Sequence, residues 1–160
     1  MRLLTVLILV LPITAAAQVA SNWGVSLRQD PITDEVIGGA TLFGTNQSRL
    51  IFACNGLVEK TLSVQFIPRG YLGSSDSLVT LRFDSDRPLP ATVWTYTSSG
   101  AYTILPTLVE AFAERVGTEP VTITIQALNY EDQPVNAVFG SVDGRSAINK
   151  IRQACGKQPL

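Results

Sequence analysis

Apolar and polar residues alternate with period two through much of this chain, which reads as β-strands with one face buried and the other wet. Val25 and Leu27 alternate with Ser26 and Arg28, and Leu62, Val64 and Phe66 with Ser63 and Gln65. The same pattern sets Val79, Leu81 and Phe83 against Thr80 and Arg82, and Val121, Ile123 and Ile125 against Thr122 and Thr124. Further strands are expected over 35–44, 49–54, 91–97 and 135–141. Asp30-Pro31, Thr45-Asn46, Asn55-Gly56 and the stretches 70–76, 86–90 and 131–134 supply turn formers between them. Short strands punctuated in this way predict a mainly β, α+β domain: an antiparallel β-sandwich, or a sheet packed by a C-terminal helix.

Two segments change to helical period. Thr107 and Glu110 have capping-box spacing after Pro106, and Leu108, Phe112 and Val116 then recur at helical intervals up to Gly117. A second helix is expected from about Arg145, with Asp143 as its N-cap and Gly156 as its stop. Ile148, Ile151 and Cys155 fall on one stripe of it, so the cysteine faces inward. Arg145, Lys150, Arg152 and Lys157 are then expected on its solvated face.

The N-terminus changes the picture of compartment. Arg2, the apolar run from Leu3 to Ile13 and Ala15-Ala16-Ala17 have the order of a cleavable export signal over 1–17. The run is too short for a membrane-spanning helix, which needs about 20 residues. The expectation is a single β-rich envelope domain over 18–160, periplasmic or extracellular, with no stable membrane insertion once the signal is removed. In an oxidising compartment Cys54 and Cys155 are expected to pair. Closing so long a loop contributes about 4 to 5 kcal/mol in the chain-entropy model.

Charge is nearly balanced, with 12 Lys and Arg against 13 Asp and Glu, so no basic field marks a nucleic-acid partner. Histidine is absent, which excludes Ser-His-Asp and Cys-His nucleophiles and histidine-bearing zinc sites. P-loop and dinucleotide-binding patterns are also missing. No cofactor, metal or catalytic residue is assigned. Ser146 and Lys150 are one helical turn apart and form no nucleophilic dyad beyond that spacing. The best carboxylate pair is Asp84 with Asp86, placed on one face if the segment is extended; it suits glycan chemistry, a cation, or a capped strand end held by Arg82.

Aromatic residues suggest binding instead. Trp94 and Tyr96 share a strand face and Tyr102 follows the Ser98-Ser99-Gly100 turn, a candidate platform for a peptide or glycan, with core packing of Trp94 as the competing expectation. Trp23 is expected to plug one end of the core. Asn46-Gln47-Ser48 matches a glycosylation acceptor.

Taken in order, Trp23-Gly24-Val25-Ser26, Asp30-Pro31-Ile32-Thr33-Asp34, Cys54, Val79-Thr80-Leu81-Arg82-Phe83-Asp84, Trp94, Ala137-Val138-Phe139 and the run Ala147, Ile148, Ile151, Arg152, Ala154, Cys155 resemble the type VI secretion-associated VasI/TagO proteins. The resemblance spans nearly the whole chain after the leader. It implies a periplasmic accessory of bacterial secretion machinery, whose partner is another envelope or secretion-system protein, with Arg82 and Asp84 in its Arg-Phe-Asp element and a cysteine pair at 54 and 155. The chain departs from it at Gly156-Lys157, where an aromatic residue is expected after the last cysteine. Two alternatives belong to other classes: a carboxylate enzyme acting on cell-wall glycans, and a secreted protein similar to the invasion-associated locus B family, which usually has more cysteines.

Overall fold

The alternation is realised almost strand for strand. The protein is represented by a computed structural model that describes residues 23–56 and 60–160; the leader expected over 1–17 lies outside them. The described residues form strands β1 (Gly24–Gln29), β2 (Val36–Phe43), β3 (Arg49–Asn55), β4 (Thr61–Ile67), β5 (Ser77–Phe83), β6 (Thr92–Thr97), β7 (Gly100–Thr103), β8 (Val121–Leu128) and β9 (Pro134–Val142), with helices α1 (Pro106–Thr118) and α2 (Arg145–Ala154). The strands make one antiparallel sheet in the order β1-β2-β3-β4-β7-β6-β5-β8-β9. It curls, so the far strand returns to the β2–β3 turn: the Val138 amide donates to Thr45 Oγ1 at 3.0 Å. Gly44 permits this approach, since a Cβ there would sit 2.6 Å from the Phe139 ring.

Both helices lie on one face of the curl and bury it. Ala40 and Leu42 of β2, Leu50, Phe52 and Cys54 of β3, Leu62, Val64 and Phe66 of β4, and Val79, Leu81 and Phe83 of β5 all point there and are buried. Phe112 of α1 stacks on Phe52 and tilts against Phe83, each at 6.1 Å between ring centroids, so one side chain joins two parts of the sheet. The expectation for β1 is corrected: Val25 is only half-buried and Leu27 is 46 % exposed. β1 is an edge strand and among the described strands pairs with β2 alone, so its inward side reaches past the cover that the central strands receive.

The predicted staple is present. Cys54 and Cys155 are disulfide-bonded across 101 residues, with 5.4 Å between their Cα atoms. Ile148, Ile151 and Cys155 are buried together as the helical stripe requires. Gly156 adopts φ +69°, its amide bonds the Gln153 carbonyl and the Lys157 amide bonds that of Arg152. This double closure satisfies the last carbonyls of α2, and only glycine takes that φ without a steric cost.

Local details of the helices differ from the spacing rules. Leu105 is the N-cap of α1 and Pro106 its first residue, so no capping box forms. A proline in the first turn has no amide to satisfy, and Glu110 is drawn away to Arg152 of α2. Gly144 caps α2, while Asp143 accepts the Arg145 amide at 3.0 Å from one residue further out. One of the four C-terminal cations is not on the solvated face: Arg152 is buried, pairs with Glu110 and donates to the Gln158 carbonyl. Arg145 is exposed and also donates to the Gly117 and Thr118 carbonyls at the end of α1. Trp23 is half-buried against the core beside Gly144, as its expected plugging role requires.

Candidate functional site

A strand sends successive side chains to opposite faces, so the register that buries the inner face also determines what the outer face displays. Thr41 of β2 pairs with Ile51 of β3, Ile51 with Gln65 of β4, Gln65 with Tyr102 of β7, and Tyr102 with Thr95 of β6. Two positions along, and so on the same face, Ser26 of β1 pairs with Gly39, Gly39 with Ala53, and Ala53 with Ser63. The second row is made of small residues and is flanked by larger ones. The result is a trough across the sheet, on the face away from the helices.

The trough holds two adjoining hollows that share Asn55 and Gln65. The larger, about 610 Å³, is lined by Thr61, Thr97, Ser99, Tyr102, Ile67 and Ile104 among others. The smaller, about 460 Å³, runs over Gly39 and Ala53 to Ser26 and Arg28. Ser63 is fully buried between them and accepts hydrogen bonds from the Asn55 amide at 2.7 Å and the Gln65 amide at 3.1 Å. That bond pins both amide groups side by side. Each retains a second N–H and a carbonyl oxygen, because a carboxamide carries two donor hydrogens and one acceptor. Tyr102 is half-buried, with its ring beside Gln65 in the adjoining strand. Among the described residues lining the larger hollow there is no carboxylate, amine or guanidinium.

The aromatic platform expected on β6 does not form. Trp94 is fully buried and Tyr96 nearly so, their side chains turned into the core, whereas Tyr102 occupies the opposite face. Trp94 donates its indole hydrogen to Thr92, and the Tyr96 hydroxyl donates to the Leu128 carbonyl at 2.6 Å. Burial raises the Tyr96 hydroxyl above the ordinary phenol range. Parity along β6 does put Trp94 and Tyr96 on one face; the pairing of Tyr96 with Ala101 makes it the inner one. Tyr102 alone remains from that set as an outward ring.

Asp84 and Asp86 do converge, but on Arg115 of α1 rather than on Arg82, at 2.9 Å and 3.6 Å. Asp84 sits in a turn at φ +49°, not in extended chain, and its other oxygen accepts the Thr122 amide at 2.8 Å. The pair therefore ties the end of β5 to the start of β8 and to α1, a fold-holding clip. Arg82 is exposed and borders a separate small hollow with Thr124 and Asn136. Ser48 of the glycosylation-like triplet is buried and donates to the Thr45 carbonyl at 2.6 Å.

No protein-family model, curated protein or solved structure matches this chain. The site is thus defined by its own geometry. Among the described residues no helix is long and apolar enough to cross a membrane, and no group of three or more histidine, cysteine or acidic side chains could hold a metal ion. Gln65, Asn55, Ser63 and Thr97 were not singled out from the sequence. The only signal for them is the register: Gln65 and Tyr102 become neighbours once β4 is known to pair with β7.

Proposed function

We propose that this chain is an exported, non-catalytic binding module of the bacterial envelope, serving as an accessory to secretion machinery of the type VI class. The observation that carries the binding reading is the outer trough, where two carboxamides fixed on a buried serine stand beside a half-exposed tyrosine. The disulfide agrees with folding in an oxidising compartment, and the leader pattern agrees with export. The most favourable carboxylate pair is engaged in holding a turn and a helix, which supports a non-catalytic role. The secretion link comes from the resemblance of the ordered residues named above to the VasI/TagO proteins.

Location and role separate experimentally. When the full chain is expressed with its leader in a Gram-negative host, the oxidised, processed form is expected in the osmotic-shock fraction; an unprocessed, reduced chain in the cytosol overturns the envelope reading. Deletion of the gene in its source bacterium is expected to lower export of the secretion system's tube protein, with recovery on complementation. Export at the parental level overturns the secretion link.

A further inference from the structure

We infer that the outer trough takes a neutral glycan chain. This deepens the reading of an envelope binding module and rests on it. Three features of the site select that chemistry.

The first is the backbone. β3 is paired on one side with β2 and on the other with β4, and β4 is paired with β3 and β7. Main-chain groups of β3 and of Val64–Phe66 in β4 are thus engaged in the ladder, and an extended peptide laid over this central part of the floor meets no open edge with which to add a strand. Recognition there has to come from side chains.

The second is the character of those side chains. The larger hollow is lined by carboxamides, hydroxyls and a phenol, and its described lining has no charged group. The described lining of the larger hollow offers no counter-charge to a phosphate-bearing or strongly ionic ligand, whereas sugar hydroxyls both donate and accept, as Asn55 and Gln65 do. Tyr102 offers a ring face and edge, and a pyranose presents an apolar face of C–H groups to such a ring.

The third is size and shape. A hollow of about 610 Å³ lies within the range of small-ligand sites, roughly 300–1,000 Å³. It continues through the shared Asn55 and Gln65 into the second hollow toward Ser26 and Arg28. The floor between is lowered by Gly39 and Ala53; a Cβ on Gly39 would stand only 3.0 Å from Ile51 Cγ2. A site that is open, elongated and crosses several strands suits a chain of linked rings better than one ring.

The test uses the oxidised chain purified after signal removal, titrated calorimetrically with tetra-N-acetylchitotetraose, with cellotetraose, and with a neutral peptide of matching length. Saturable binding to at least one of the sugars is expected, weakened about tenfold by Tyr102→Ala and by Gln65→Ala. Both variants should keep the disulfide and a cooperative unfolding transition close to the parent's, since both side chains lie on the outer face. No saturable binding to either sugar overturns the inference, as does sugar binding that neither variant weakens. Binding of the peptide alone also overturns it while leaving the binding-module reading intact. A cytosolic, reduced chain in the fractionation experiment would instead overturn the envelope reading whatever the titration shows.

Discussion

The two faces of the sheet obey opposite rules. On the inner face, Phe52, Phe66, Phe112 and Trp94 are fully buried, and every strand from β2 to β9 contributes apolar residues to one continuous core. On the outer face the same strands carry Ser63, Gln65, Thr95, Thr97 and Tyr102, with glycine and alanine where a large residue would fill the trough. Close packing makes the inner face intolerant of volume change. The outer face holds its shape through the ladder beneath it and through Ser63, so its side chains are available for another task. Stability and recognition are therefore assigned to different sides of one set of strands, and substitutions should separate them.

The largest effect is expected from the staple. Replacing Cys54 and Cys155 together by serine opens a loop of 101 residues and should lower stability by about 4 kcal/mol, read as a fall in the urea midpoint. The variant also leaves α2 held by Lys60, which donates to the Ala154 carbonyl at 3.1 Å, and by the Arg152–Glu110 pair. A midpoint equal to that of the parent would show that the core closes without the covalent link. Phe112→Ala should follow at about 3 to 4 kcal/mol, because the ring is fully buried between Phe52 and Phe83.

Closure of the curl predicts the next effect. A Cβ on Gly44 would sit 2.6 Å from Phe139 and 2.9 Å from the Val138 carbonyl oxygen, so Gly44→Ala should cost about 2 kcal/mol. Hydrogen exchange locates the damage: the Val138 amide, bonded to Thr45, should lose protection before the amides of β3 and β4 do. By contrast Tyr102→Ala, on the outer face, should change stability by no more than about 1 kcal/mol. If the outer-face variant were as costly as Phe112→Ala, the division of labour between the faces would be wrong.

Much of the inner face could be read from local patterns, because burial imposes period two on a strand and a stripe on a helix. Val79, Leu81 and Phe83 are buried as their alternation requires, and Cys155 follows Ile148 and Ile151 into the core. Long-range facts were less legible. β7 has four residues and follows directly on a turn signal, so it reads as loop, yet it is the strand that sets Tyr102 beside Gln65. Arg115 lies in a helix remote in sequence from Asp84, and nothing local distinguishes it from a solvated arginine. Trp94 and Tyr96 were placed correctly on one face, but alternation alone does not say which face a two-sided strand turns inward. The trough is invisible to periodicity for the same reason: it is a property of neighbouring strands.

The smallest effect concerns the turn between β1 and β2, near the Arg28 end of the trough. Asp30 Oδ1 accepts the Ile32 amide at 2.9 Å and the Thr33 amide at 3.0 Å, and these two bonds hold its carboxyl below the ordinary carboxylate value. A carboxyl whose value is lowered by folding stabilises the native state at pH values above its unfolded value, about 3.9, and loses that contribution as pH falls through the lower, folded value. The group is exposed, so the effect is slight and belongs to the hairpin rather than the core. Asp30→Asn keeps an acceptor oxygen but cannot titrate. Thermal unfolding should therefore place the variant a little below the parent near neutral pH, with the gap shrinking as pH is lowered through the carboxylate range. Exchange rates of the Ile32 and Thr33 amides should rise with acid in the parent's fold relative to the variant's, while those of β3 and β4 stay level. A gap that is constant with pH would show that the turn is held by its backbone alone, and that this rim of the outer face owes nothing to the Asp30 charge.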